Sequence, residues 1–278
     1  MTTETNEEAE SPRVRALASV RKGWWFLAAG VTTAVIGAAA SVYVPKILDP
    51  QDTRPIAVNV VNNPATVNTW SGEKFGFVMP KDVTPVGQPS TDCGRMVDWV
   101  RRNRAADHQA TRVRLVIQGA TDKGVLIENL RAKIIRRSVK PEPAGIGFRC
   151  GGTQGEASPR QLVIDLDSEG RAADYAEKVP GQLKPFGFTL QKGETEIFDL
   201  AATTKGTVDW VIQLDLVVGG ERQTVEVNNR GKSFMTTAWN SERIYQVPPG
   251  TQDWVVCTKS PHERCKGGIS PADFRYTS

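Results

Sequence analysis

"TVDWVIQLDLVVGGERQTVEVNN", residues 207–229, decides the fold class. Val208, Trp210, Ile212, Leu214 and Leu216 recur every second residue, the period that puts side chains on one face of a strand. Gly219-Gly220 follows. Two glycines between alternating runs are the chemistry of a tight hairpin whose central residues need φ > 0. Val225 and Val227 return on the second arm. A helix with this pattern would scatter its apolar residues around the cylinder, so the segment is a β-hairpin with one buried face.

The same period spreads outward in both directions. "TRVRLVIQG" (111–119) sets Val113, Leu115 and Ile117 against Arg112, Arg114 and Val116. "QLVIDLD" (161–167) sets Leu162, Ile164 and Leu166 on one face with Asp165 outward. "IAVNVVNN" (56–63) alternates Ile56, Val58 and Val60. "GVLIENLRAKIIRRS" (124–138) is long and alternates imperfectly; Leu126, Leu130, Ala132 and Ile134 are assigned to one face, interrupted by Glu128. "FGFTL", "TEIFDLAATT" and "GKSFMTTAW" read as shorter strands. Strands separated by Gly, Pro and Asn clusters, with no βαβ alternation, predict an all-β domain. Its expected form is an antiparallel β-sandwich, two sheets packed face to face.

Only one short helix is expected beside the strands. In "CGRMVDWVRRNR" (93–104) Asp92 stands at the N-cap position, and Met96, Trp99 and Val100 fall at i, i+3 and i+4. Arg101, Arg102 and Arg104 gather near its end, where the helix dipole favours cations. The proline-rich stretch 62–92 reads as loop, with Trp70, Phe75 and Phe77 plugging the core edge.

The N-terminal fifth has a different character. Trp24–Val44 is 21 residues without a charge, long enough as a helix to span a hydrocarbon core of ~30 Å. Trp24, Trp25 and Tyr43 sit at its two ends as membrane-interface anchors, and Pro45 stops the helix. Ala38-Ala39-Ala40-Ser41 also offers a signal-peptidase pattern, with a cut at Ala40-Ser41. Retention is favoured, because four glutamates precede the run and the apolar residues continue through Val44. Arg13, Arg15, Arg21 and Lys22 before the run, against Lys46 and Arg54 after it, place the N-terminus in the cytoplasm and the rest outside. Gly30, Ala34 and Ala38 share one helix face, a small-residue spacing suited to a homodimer of membrane helices. The expected organisation is a disordered cytoplasmic tail (1–23), a single transmembrane helix (24–44), a spacer (45–55) and an extracytoplasmic β-domain (56–278).

Composition bounds the chemistry. A net charge of +4 from 35 basic and 31 acidic residues is too slight to argue for nucleic acid. Cys93, Cys150, Cys257 and Cys265 are the only cysteines. An even number in an exported domain predicts two disulfides. Three pairings are conceivable; the short spacing of Cys257 and Cys265 favours a local bridge, leaving Cys93 with Cys150. No Cys-x-x-Cys or paired-histidine spacing supports a metal, and no cofactor motif is present.

Few residues of the sequence suit catalysis. His108 and His262, the two histidines, are read as solvated loop residues, since a catalytic role needs a setting that orients the ring. Asp165 with Asp167, and Asp209 with Asp215, are carboxylate pairs of a kind that binds calcium or serves a glycosidase, but the solvent face of an ordinary strand is the favoured reading, because the residues between them are apolar. The cations Arg131, Lys133, Arg136, Arg137 and Lys140 could meet an anionic wall polymer or lipid headgroups, but protection of an edge strand from pairing is the favoured account.

"GVLIENLRAKIIRR", "GFRCGGTQG", "PRQLVIDLD" and the hairpin of residues 207–227 together carry a resemblance. Over about residues 90–240 the chain resembles the exported domain of uncharacterised actinobacterial single-pass membrane proteins. These share the order of Trp-Arg helix, Val-Leu-Ile strand, Cys-Gly-Gly loop, Asp-Leu-Asp strand and Trp-containing strand before a glycine turn. Some carry an N-terminal helix-turn-helix domain, which the tail of this chain lacks. The resemblance implies an anchored envelope protein and supplies no catalytic residues. The sequence therefore points to a membrane-integral, non-enzymatic binding, sensing or scaffolding domain at the cell envelope, meeting an envelope protein or anionic wall polymer. An envelope hydrolase acting on wall glycan or peptide is the alternative.

Overall fold

The computed structural model describes residues 54–67, 75–138, 144–150, 160–176, 186–238, 241, 243–248, 251–258 and 264–274. The run 24–44 with Trp24, Trp25, Tyr43 and the Gly30, Ala34, Ala38 stripe lies outside them, as do Trp70, Lys140 and His262. Among the described residues no helix is long and apolar enough to cross a membrane. The described residues fall within one compact unit, Thr53–Ser278.

That unit is mostly β, with strands numbered in chain order. One sheet has five strands in the order β1 (Ile56–Val61), β4 (Ala110–Gly119), β10 (Thr195–Thr203), β7 (Arg160–Asp165) and β8 (Asp174–Tyr175). The other begins with β16 (Arg264–Ile269), β15 (Trp254–Thr258), β14 (Arg243–Gln246), β6 (Ala144–Cys150) and β2 (Phe75–Pro80). It continues through β3 (Ala106–His108), β13 (Phe234–Thr237), β11 (Thr207–Val218), β5 (Val125–Ser138) and β9 (Phe188–Leu190). β12 (Glu221–Val227) pairs with β11 as the second arm of the expected hairpin, and both turn glycines have positive φ (58° and 90°).

The sheets are mixed, which corrects the expectation of strictly antiparallel strands. β7 with β10, β3 with β13 and β6 with β14 are parallel. Parallel neighbours need a crossover of about a dozen residues or more, and each of these pairs is separated by far more chain than a hairpin turn.

The periodicities fall where the sequence put them on β1, β4, β7 and β11. Val113, Leu115, Ile117, Leu162, Ile164, Val208, Trp210, Ile212, Leu214 and Leu216 are all buried in one apolar cluster that draws on both sheets. β5 departs from the expectation. Val125 and Ile127 face inward, Leu126 is 38% exposed, and the inward phase resumes at Leu130, Ala132 and Ile134. Its register against β11 slips twice, between the partners of Asp215/Leu216 and of Asp209/Trp210. Each slip inserts one extra residue in β5, and a bulge reverses which residues face the core. Leu126 therefore points outward, and the imperfect alternation has a structural cause.

A second core lies under the β14–β6–β2 part of the large sheet. α1 (Cys93–Arg102) begins at Asp92, whose Oδ1 accepts from the Arg95 N–H at 2.8 Å. It buries Met96, Val97, Trp99 and Val100 against Phe75, Phe77, Phe148, Tyr245, Trp254 and Phe274. The expected loop around Phe75 and Phe77 is strand β2: alternation in "FGFVM" is too short to stand out, but its aromatics are the wall of this core. His108 is likewise not in a loop. It is half-buried at the end of β3, opposite Gly76 of β2 and Thr237 of β13.

Candidate functional site

Two disulfides join the four cysteines, Cys93–Cys150 and Cys257–Cys265. The first ties the start of α1 to the end of β6 and so closes the second core. The second staples β15 to the edge strand β16 at an opposed pair.

The cationic strand β5 is the surface feature the sequence singled out, and its bulges sort the side chains. Arg131 and Lys133 alternate outward with Leu130, Ala132 and Ile134 inward. The extra residue, Ile135 (57% exposed), resets the phase. Arg136 then joins Arg131 and Lys133 on the outer face, and Arg137 turns toward the end of the core. Acids from the neighbouring strands meet each of them. Arg131 reaches Asp215 of β11 at 3.2 Å, Lys133 reaches Glu226 of β12, and Arg136 Nε donates to Asp209 of β11 at 2.8 Å. Arg222 and Glu128 add a further pair at 3.1 Å. The outer face is thus a charge lattice in which each of these cations has an acid beside it.

Arg137 does something different. Its guanidinium donates to the Asp167 carboxylate and to the Leu166 carbonyl, both just past β7 in the other sheet. Asp167 also accepts from Thr204 Oγ1 at 3.0 Å and from the Lys205 N–H at 2.6 Å. Partial burial pushes the Asp167 pKa up, but the Lys205 N–H, Arg137 and Thr204 outweigh it and hold the carboxyl below its ordinary value. Asp165 is exposed and its Oδ1 accepts from the Asp167 N–H at 2.9 Å, closing the turn. The suspected carboxylate pairs are therefore engaged in structure: Asp165 with Asp167 makes a turn, while Asp209 and Asp215 belong to the charge lattice.

A site that the sequence did not disclose lies at the seam between the two cores. Asp107 of β3 is only 2% exposed. Phe77 stands beside it on β2 and Thr236 on β13. Arg101, in the last turn of α1, donates through Nη2 to Asp107 Oδ1 at 2.6 Å and to Asn62 Oδ1 at 3.1 Å, with its guanidinium 5.2 Å from the Phe77 ring centre. Thr111 of β4 donates to Asp107 Oδ2 at 2.7 Å and lies 2.7 Å from Thr236 Oγ1, which accepts from Trp210 Nε1 at 2.9 Å. Burial pushes the Asp107 pKa up; Arg101 and Thr111 oppose this without cancelling it. The chain swings from β3 into β4 of the other sheet through Gln109, at φ 68°, whose N–H donates to the Thr237 carbonyl at 2.7 Å. An aspartate between a phenylalanine and a threonine in a three-residue strand gives no pattern to recognise. Its closest sequence signal is the cation Arg101 six residues earlier.

The five-stranded sheet carries a comparable pair on its outer face. Arg114 of β4 grips the buried Asp199 of β10 bidentately, at 2.7 and 2.8 Å. The hydrogen bond to Asp199 raises the Arg114 pKa above its ordinary value. Among the described residues no group of three or more His, Cys, Asp or Glu is placed to hold a metal. No protein-family model matches this chain, and no curated protein matches it.

Proposed function

We propose that the chain is a single-pass membrane-anchored extracytoplasmic protein whose β-sandwich binds, senses or scaffolds at the cell envelope without catalysing a reaction. The observation that carries this reading is the use of all four cysteines in two disulfides, with none left free. Such bonds persist in oxidising, extracytoplasmic surroundings. They follow, in sequence, an uncharged run of membrane-spanning length whose flanking cations favour a cytoplasmic N-terminus. The apolar cluster shared by both sheets supports the sandwich. The resemblance to actinobacterial single-pass proteins accords with the same organisation.

The binding role is favoured over the envelope hydrolase by how the carboxylates are used. A general acid needs a raised pKa and an oxygen within reach of substrate. Asp167 is held in its charged form, and both oxygens of Asp107 are taken by Arg101 and Thr111. Recognition of anionic wall polymer by Arg131, Lys133, Arg136 and Arg137 is weakened as a reading, since each cation has an acid beside it.

The test is fractionation of cells expressing the full chain with a C-terminal tag, followed by intact mass measurement without reductant. The expected product is full-length and membrane-bound, four hydrogens lighter than the thiol form because of two disulfides. A soluble product beginning at Ser41 overturns the anchored reading.

A further inference from the structure

Proteins protect the outer strands of their sheets, because unpaired N–H and C=O groups there invite another strand. Most edges here are protected. β8 and β9 are two and three residues long. β12 carries Glu221, Arg222 and Glu226, β16 carries Arg264 and Lys266, and the end of β5 carries Lys133, Arg136 and Arg137 with a bulge at Ile135. β1 is the exception. "IAVNVV" has six residues, no charge, no proline and an unbroken register against β4, and no described strand lies beyond it. Val58 and Val60 face the core but remain half-exposed, with no described strand to flank them.

We propose that β1 is a dimerisation edge, on which a second copy of this chain adds its own β1 antiparallel to make one continuous sheet. The hydrogen-bond phase fixes the register. The Ala120 N–H donates to the Pro55 carbonyl at 2.8 Å. Alternate residues of an antiparallel strand bond to the same neighbour, so Ala57, Asn59 and Val61 bond to β4, while Ile56, Val58 and Val60 aim their N–H and C=O groups at the open edge. A two-fold axis normal to the sheet keeps inward side chains inward in both copies. Even-numbered residues must then face even-numbered ones. One such register sets Val58 opposite Val60 of the second copy, covering both half-exposed valines. It brings Asn59, the exposed residue of the strand, opposite Asn59 of the second copy at a non-hydrogen-bonded position, with Cα atoms ~4.5 Å apart. There the two amides can bond to each other.

A strand of this kind fits its own copy because its pattern is nearly palindromic and uncharged, so reversal creates no clash of sign. Val44, the end of the apolar run, is twelve residues before Ile56. On the anchored reading, on which this clause alone rests, two copies hold their β1 strands in one thin layer and meet at raised effective concentration.

The test uses the full chain in detergent micelles, with membrane attachment scored separately by fractionation. Asn59→Cys under mild oxidation is expected to form a covalent dimer about tenfold faster than Ile197→Cys, which is exposed two strands in from the edge, because the edge pair is held in place rather than meeting by collision. Asn59→Lys places like charges opposite one another and is expected to weaken the dimer about tenfold in sedimentation, with an unchanged circular dichroism melt. Equal cross-linking of Asn59→Cys and Ile197→Cys overturns the proposal. So does a wild-type dimer untouched by Asn59→Lys, which would place association elsewhere, such as the Gly30, Ala34, Ala38 stripe.

Discussion

Replacing Arg101 by methionine tests whether the buried seam is held by its charge pair. Methionine keeps an unbranched chain that packs on Phe77 and removes the guanidinium. Asp107, 2% exposed, then loses the donor at 2.6 Å and keeps only Thr111. A buried charge stripped of its partner costs about 3–5 kcal/mol. A hydrogen bond to a charged group is by itself worth about 1.5–3 kcal/mol, so the larger share of the loss comes from leaving the carboxylate without compensation. The pH dependence separates this cause from lost packing. Asp107 has a folded pKa above its unfolded one. Between the two values the native state holds the proton and the unfolded chain does not, so the group's contribution to stability falls as pH rises through that window. Removing Arg101 raises the folded pKa further. The deficit of Arg101→Met against wild type is therefore expected to shrink as the pH drops and Asp107 takes up a proton. Guanidinium unfolding followed by circular dichroism at a series of pH values measures it. Adding Asp107→Asn to Arg101→Met is expected to recover part of the loss. A deficit under about 1 kcal/mol, or one equal at every pH, would refute the reasoning, since it would mean that the pair contributes no more than an exposed one.

Three further outcomes follow from the same structure. Replacing Cys93 and Cys150 by alanine is expected to cost about 4 kcal/mol, and replacing Cys257 and Cys265 about 2.5 kcal/mol, because the first bridge closes 57 residues and the second 8; denaturant midpoints of the two variants give the order. Asp167→Asn is expected to cost about 2 kcal/mol at neutral pH, from weakened charge-assisted bonds. Its folded pKa is depressed, so wild type loses this advantage as pH falls through that value, and the two acid-unfolding curves should converge below about pH 4. Gly220→Ala, at φ 90°, is expected to cost about 1–2 kcal/mol in thermal unfolding by straining the β11–β12 turn, whereas Gly219→Asn, at φ 58°, stays close to neutral.

The strands with a clean period of two were legible in the sequence: β1, β4, β7, β11 and the glycine turn of the hairpin. Each buries one face, so the period is written in the residues themselves. The helix α1 was legible through its cap and its i, i+3, i+4 triplet. The disulfides followed from number and spacing. These are local properties, decided by residues within a few positions of one another.

The tertiary structure alone decided the rest. The inward face of β5 depends on two bulges, and a bulge is a relation between β5 and β11 rather than a property of either. For that reason Leu126 points outward, Arg136 joins the charge lattice and Arg137 clamps the other sheet. The parallel pairings and the second core depend on strands brought together from distant parts of the chain, such as β6 with β14. Asp107 is the clearest case. Arg101 and Thr111 bond to it, Asn62, Thr236 and Trp210 extend the network, all five from different segments, and nothing in "ADH" announces a buried ion pair. Burial is a property of three-dimensional neighbours, and so the chemistry of a buried charge is decided only once the chain has folded around it.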